Sequence, residues 1–421
     1  MHYGIVTYGS RGDVQPYVAL ALGLQERGHE VTLLANENFK DFVEGHGINF
    51  FPLAGNMEDM VRSPKISKLL RSGNMVSYLR EMKKLMRTIQ PQVNANMLRG
   101  AREADVLIAS PLTLVWVHSI AEKLHKNWAI IQLSVPAIPT KEFPFAGFDL
   151  FNFPLYNLFT YKLVRYVYWQ LNKKDINEHR TSLRLPPFEK SVLKKIADQK
   201  ILNLHAFSPS LIARPKDWPE EIQITGFLTI PGSKRKDQIK DELPIVGLET
   251  WLKNGEPPIY IGFGSIPIPN PELLSKILKE IINTTDHRFI FCTGWSDLLN
   301  LPRHENLFII KHANHEWLFP QCKAAIIHGG IGTIAATLKA KISPIIISIF
   351  ADQPLWGKLI DKRKLGVHIP FRKLTTRKLL DAIEKAETPQ LKKNARNTGE
   401  MINGQDGIRS AINALENYFE N

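Results

Sequence analysis

The run His328-Gly329-Gly330-Ile331-Gly332-Thr333 holds residue types suited to binding an anion through the backbone. The strand-like Ala324-Ala325-Ile326-Ile327 precedes it, and helical sequence from Ile334 to Lys339 follows. Glycines in such a turn let a phosphate approach the main chain, and the first amides of the next helix point at it with partial positive charge. The run lacks the Gly-Lys-Ser/Thr ending of a Walker loop and is not GxGxxG. By itself it is equally a packing turn. Nineteen residues after Thr333 stands Asp352, in Phe350-Ala351-Asp352-Gln353-Pro354-Leu355-Trp356-Gly357. A carboxylate beside an amide at a strand end suits capture of the vicinal hydroxyls of a hexose, although Asp352 could instead cap a helix. Together the two motifs describe a diphosphate next to a sugar.

The elements that must position these residues follow a strand, loop, helix, strand grammar. Tyr3 to Tyr8 is an apolar run ending in Gly9-Ser10-Arg11-Gly12-Asp13, a helical pattern opens at Pro16 and stops at Gly28, and Val31 to Ala35 is the next buried strand. Further strands are predicted at 106–109 and 129–133. After the polar, breaker-rich stretch Pro231 to Asp237, strands recur at 258–263, 288–292, 324–327 and 344–348, with helical sequence at 273–282. The expectation is an α/β chain of two Rossmann-like doubly wound parallel-sheet domains facing a cleft. Its parts are an N-terminal acceptor-binding domain over 1–225, a linker over 226–244, a C-terminal nucleotide-sugar domain over 245–403 and a final helix over 404–421 that returns to the N-terminal domain. The length of 421 residues suits two such domains.

The net charge of +13 raises a nucleic-acid reading. The surplus is evenly spread, however, with 28 Lys/Arg against 21 Asp/Glu in 1–225 and 26 against 20 in the remainder. That pattern reads as a solvated surface rather than a polyanion stripe. Two cysteines, Cys292 and Cys322, stand in no metal-ligand or disulfide pattern. The first residues lack a basic leader and no apolar run is long enough to span a bilayer, so the expected location is the cytoplasm, with weak attraction to lipid surfaces left open. Residues 143–169 hold 11 of the 39 aromatics. They form either a helix packed on the core, or an apolar acceptor pocket in which Phe143, Phe145 and Phe148 take part, or a surface that dips into lipid.

Gly9-Ser10-Arg11-Gly12-Asp13-Val14-Gln15-Pro16, Gly262-Phe263-Gly264-Ser265, His315-Glu316-Trp317-Leu318-Phe319, the glycine run at 328–333 and Ala351 to Gly357 occur in this order across both halves of the chain. Together they resemble the family 1 glycosyltransferases of GT-B fold, and within them the branch of sterol and lipid glucosyltransferases and antibiotic glycosyltransferases. The resemblance implies an inverting transfer of a hexose, glucose from UDP-glucose first and a dTDP-sugar second, to a hydroxyl of an apolar acceptor such as a sterol, terpenoid, polyphenol, macrolide or lipid. It implies no cofactor beyond that co-substrate, no metal and no nucleic acid. His328 and the amides of Gly329, Gly330, Gly332 and Thr333 would hold the diphosphate, with Ser265 adding a hydroxyl. Asp352 and Gln353 would bind the sugar, and Trp295, His312 and Ala313 would lie near the base.

In that branch an Asp replaces the His of a Gly-His-x-x-Pro loop, which makes Asp13 the group that takes the acceptor proton. On its residues alone Asp13 is equally a cap for the helix expected at Pro16. An ordinary carboxyl pKa of about 3.9 lies far below that of an alcohol, so the proton would pass late in the displacement or to a carboxylate raised by burial. This chain departs from the pattern at Ile327, Ile331 and Ile334. None of these removes a phosphate donor, while Ile331 adds bulk beside the phosphates. A nucleotide-sugar epimerase of the same fold and a non-catalytic nucleotide-sugar-binding protein are the alternatives.

Overall fold

The computed structural model describes residues 1–71, 75–134, 137–232, 245–264, 268–294, 301, 304–312 and 314–420. The chain divides into two compact units: Met1–Met57, Met86–Pro231 and Asp406–Asn421 make the first, and Glu58–Leu85 with Gly232–Gln405 make the second. This division departs from consecutive blocks at two places: Asp406–Asn421 returns to the first unit, as expected of the final helix, whereas Glu58–Leu85, expected within 1–225, groups with the second unit. Tyr78 there lies edge-on to Phe350, with ring centroids 6.1 Å apart. Buried Ile66 and Tyr78 gather Leu69, Met82 and Leu85 around them. That apolar cluster is a tertiary contact which local pattern does not report.

In the first unit, β1 (His2–Val6), β2 (Glu30–Asn36), β3 (Asn49–Leu53), β4 (Val106–Ala109), β5 (Asn127–Gln132), β6 (Asn203–His205) and β7 (Ile222–Ile224) form one sheet. The order is β3-β2-β1-β4-β5-β6-β7 and every pairing is parallel. In the second unit, β8 (Ile259–Gly262), β9 (Phe289–Cys292), β10 (Leu307–Ile310), β11 (Ala324–Ile327), β12 (Ser343–Ser348) and β13 (Val367–Pro370) pair in parallel in the order β10-β9-β8-β11-β12-β13. Strands such as β4, β8, β9, β11 and β12 are buried along their whole length, as parallel strands covered on both faces must be. Their runs of Ile, Val, Leu and Phe are the sequence form of that burial. Each sheet reverses its strand order once, at β1/β4 and at β8/β11. The loops leaving those strands therefore flank the crevice where doubly wound sheets bind ligands.

Two local expectations need correction. The first helix opens at Arg11, not near Pro16, and runs to Glu26 with Pro16 inside it. Ser10 and Asp13 start it in a capping-box arrangement five residues before the proline, so Pro16 only forgoes one hydrogen bond. The helix expected from Ile334 begins at Ile331 and ends at Lys339. The aromatic segment divides its rings. In the helix Pro154–Ser182, Tyr161 and Trp169 are buried. Yet half of the sixteen exposed large apolar side chains among the described residues fall between Leu150 and Leu171. No described helix is long and apolar enough to cross a membrane.

The final helix, Gly407–Phe419, buries Ala411, Ile412, Ala414 and Leu415 within the first unit. Its Glu416 accepts from Arg27 at 2.6 Å and pairs with His29 at 3.1 Å, which pins the helix to the end of Arg11–Glu26.

Candidate functional site

In the first unit β1 and β4 end level, with Val6 opposite Ala109. Thr113 seals the two ends by donating its hydroxyl to the Val6 carbonyl at 2.8 Å. The chain then turns through Gly9, whose φ of +137° is open to glycine but rarely to other residues. The Gly9 amide donates to Oδ1 of Asn36, a fully buried residue at the end of β2. Ser10 donates both its amide (2.8 Å) and its hydroxyl (2.9 Å) to Oδ2 of Asp13. A Cβ on Gly9 would lie 2.4 Å from that same oxygen, so the carboxylate occupies the space a side chain at position 9 would need. Asp13 is thus held at one oxygen and half-buried at the carboxyl edge of the sheet. The capping role and a place at the switch point coexist in one side chain.

In the second unit β8 and β11 end level, with Gly262 opposite Ile327. His328 follows directly. It is buried, and its Nδ1 has no hydrogen-bond partner among the described residues. Burial pushes its pKa down to about 4, so at neutral pH it is an uncharged imidazole with one N–H to donate. A Cβ on Gly330 would stand 2.5 Å from His328 Nε2. Gly330 is also the N-cap of Ile331–Lys339 and brings no side-chain oxygen to the helix amides. Gly332, the second residue of that helix, faces open space, with no atom within 4 Å of where its Cβ would be. The result is an uncapped helix start beside a neutral imidazole, the arrangement that receives a phosphate. Of the expected contacts, the Thr333 amide is already engaged, donating to the Gly330 carbonyl at 3.0 Å, which leaves its hydroxyl to offer.

The loop after β12 is held from within. Ala351 adopts φ +56°, a left-handed conformation unusual for a residue with a side chain. Asp352 sits at the N-cap of the helix Gln353–Lys362 but makes no side-chain cap bond; its Oδ2 accepts instead from the Trp356 indole N–H at 3.1 Å. Burial raises its carboxyl above the usual range. Gln353 is 2% exposed, and its Oε1 accepts from the amides of Ile349 (2.8 Å) and Phe350 (3.2 Å). The expectation that Gln353 faces a sugar therefore narrows to its amide nitrogen, because the oxygen ties down the loop.

Ser265, Trp295 and Ala313 lie outside the described residues. His312 is half-buried. Near it, His315 stacks on Phe319 with centroids 4.4 Å apart, while its ring nitrogen meets the Tyr260 hydroxyl at 3.1 Å. Phe143, Phe145 and Phe148 are half-buried, with Phe145 edge-on to both Phe148 and Tyr161. Sequence reasoning missed Asn36, Thr113 and Trp356. An Asp and a Trp four apart on one helix face was the one available signal among them.

A glycosyltransferase family 28 N-terminal domain matches residues 3–135. Over 99% of its length the chain is 32% and 31% identical to two sterol 3-beta-glucosyltransferases of Arabidopsis thaliana, of which it covers 65% and 68%. It is also 31% identical to a sterol 3-beta-glucosyltransferase of Yarrowia lipolytica, of which it covers 28%. The chain belongs to the family 1 glycosyltransferases of GT-B fold. It spans from about a quarter to two thirds of the length of these relatives. Solved structures of the family's fold match the whole chain. The calicheamicin glycosyltransferase does so with a TM-score of 0.68 at 15% identity over 100% of this chain and 98% of its own. A Streptomyces glycosyltransferase complexed with thymidine diphosphate scores 0.62 at 17% identity, covering 99% of each chain. In this GT-B chain, the two sheets with their level switch-point strands are the two Rossmann-like halves of the fold.

Proposed function

We propose that this glycosyltransferase moves glucose from UDP-glucose to the hydroxyl of a sterol or a similarly apolar alcohol, with inversion at the anomeric carbon. Two observations, one in each unit, carry the reading: the helix start at the first switch point presents the Asp13 carboxylate, and the helix start at the second is uncapped beside His328. The similarity to sterol 3-beta-glucosyltransferases over nearly the whole chain supports the acceptor class.

In this reading the Ile331 and Gly332 amides and the His328 N–H stabilise the departing diphosphate. Because His328 is neutral, it contributes a directed hydrogen bond, not a cation. Asp352 and the Gln353 amide nitrogen hold the sugar hydroxyls. Asp13 takes the acceptor proton as the new C1–O bond forms and the bond from C1 to phosphate breaks. Its anchorage by Ser10 fixes the carboxylate against the helix start, so the oxygen meets the acceptor without a search over rotamers.

The test is a product assay. Purified protein is given UDP-glucose or dTDP-glucose with a panel of sterols, terpenoids, polyphenols and macrolides, and products are read by mass spectrometry. A β-linked sterol glucoside formed with UDP-glucose is the expected result. Interconversion of the free nucleotide sugar without acceptor would favour an epimerase, and no turnover with any pair would sink the transferase reading.

We also propose that the protein works in the cytoplasm and touches lipid surfaces through the exposed rings and aliphatic side chains between Leu150 and Leu171. Co-sedimentation with phosphatidylcholine vesicles should fall when Phe151, Phe153 and Phe159 are changed together to Ser. Equal sedimentation of both proteins would refute it.

A further inference from the structure

The helix Gln353–Lys362 begins at an unusual corner. An aspartate at an N-cap ordinarily turns its carboxylate to the first helix amides. Asp352 does not: its Oδ2 is engaged by the indole N–H of Trp356, one turn along the same face. Trp356 is wholly buried and is the largest such side chain among the described residues. Its ring therefore has one place to be, and its N–H one direction to point. The residue before Asp352 is Ala351 with φ +56°, and the residue after it, Gln353, binds the two amides that lead into the corner. A left-handed residue, a forgone cap and three internal hydrogen bonds define a corner in which the carboxylate turns from the first helix amides to the indole of Trp356.

We infer that Trp356 is a positioning residue for the donor sugar: its indole N–H sets the direction of the Asp352 carboxylate so that the other carboxylate oxygen meets the sugar hydroxyls. This rests on the reading that Asp352 binds the transferred sugar. A buried tryptophan N–H usually finds an acceptor, so a purely structural bond would give the same distance. What separates the two roles is whether losing the N–H weakens the sugar contact alone.

The experiment measures binding of UDP and of UDP-glucose by titration calorimetry to the wild type, to Trp356→Phe and to Asp352→Asn. Trp356→Phe keeps the aromatic packing and deletes the donor. The expected result is a loss of about tenfold or more in UDP-glucose affinity, the worth of a hydrogen bond to a charged group, with UDP affinity within about twofold of wild type. KM for UDP-glucose should rise more than kcat falls. Equal losses for UDP and UDP-glucose, or no loss for either, would overturn the role of Trp356. Asp352→Asn distinguishes the underlying reading: if it leaves UDP-glucose affinity unchanged, the sugar assignment of Asp352 fails and the inference with it. If it weakens UDP-glucose binding while Trp356→Phe does not, only the positioning role fails. Should Trp356→Phe not fold, 3-benzothienylalanine at position 356, with sulfur in place of the N–H, carries the same test in a ring of the same shape.

Discussion

The two halves of the molecule share a strand order and a switch point, yet their switch-point helices start in opposite ways. The helix Arg11–Glu26 begins with its own carboxylate, Asp13, drawn back onto the Ser10 amide and hydroxyl. The helix Ile331–Lys339 begins at Gly330, which has no side chain to offer. The first helix start already carries an anion and has no use for another. The second has no side-chain cap over its first amides, those of Ile331 and Gly332, and sets a neutral imidazole beside them. In the proposed reading, one fold thus supplies a proton acceptor in one unit and an anion receiver in the other, and the N-cap region decides which.

That contrast can be broken at either end. The largest effect is expected at Asp13. Asp13→Asn keeps the size of the side chain and should lower kcat by roughly 10² to 10⁴, the usual worth of a general base, while UDP-glucose affinity stays unchanged; near-normal turnover in a steady-state assay would remove Asp13 from the role. The counterpart in the second unit is Gly330→Ala. Its methyl group would press on His328 Nε2, so donor affinity, measured by calorimetry, should fall by about tenfold or more through loss of a charge-assisted hydrogen bond. If affinity is retained, His328 is not a diphosphate contact.

Gly9→Ala sharpens the comparison from the scaffold side. It forces a side chain into φ +137° and against the Asp13 carboxylate, which should destabilise the protein by about 1–3 kcal/mol. Thermal melting checks the stability, and the same variant should lose turnover through the displaced carboxylate.

The smallest and most distributed effect is on acid stability. Burial lowers His118 and His179 to about 4 and His205 to about 3 in the first unit, and His328 to about 4 in the second. Each has a folded pKa below the ordinary 6.5 of the unfolded chain. Their contribution is therefore complete above about pH 6.5 and is lost as pH falls from there towards about 4, at up to about 1.4 kcal/mol per pH unit for each histidine. Burial also lowers His287 and His368 in the second unit, but three of the four large depressions lie in the first unit, so hydrogen exchange at pH 5 against pH 7 should show its sheet losing protection before that of the second. The reverse order would contradict the burial of these rings.

Much of this was legible in the residues. The apolar runs at β1, β4, β8, β11 and β12 stand out because parallel strands are buried on both faces, and the segments that follow β1 and β11 carry Asp13 and the glycine run in plain view. The short strands β6 and β7 and the edge strands β3, β10 and β13 were not legible, since each has only three to five residues and all but the buried β6 have mixed burial, which carries little pattern.

Residue types and local spacing by themselves determined two Rossmann-like halves, a glycine-rich strand-to-helix turn at 328–333 and a carboxylate at position 13. Only the tertiary structure decided what each group is free to do. Packing excluded water from His328 and so left it neutral, tied the Gln353 oxygen to the backbone, turned Asp352 towards Trp356, and drew Glu58–Leu85 to the second unit through Tyr78. These are effects of burial and of hydrogen-bond competition among groups that come together only once the chain has folded, and no local pattern in the sequence reports them.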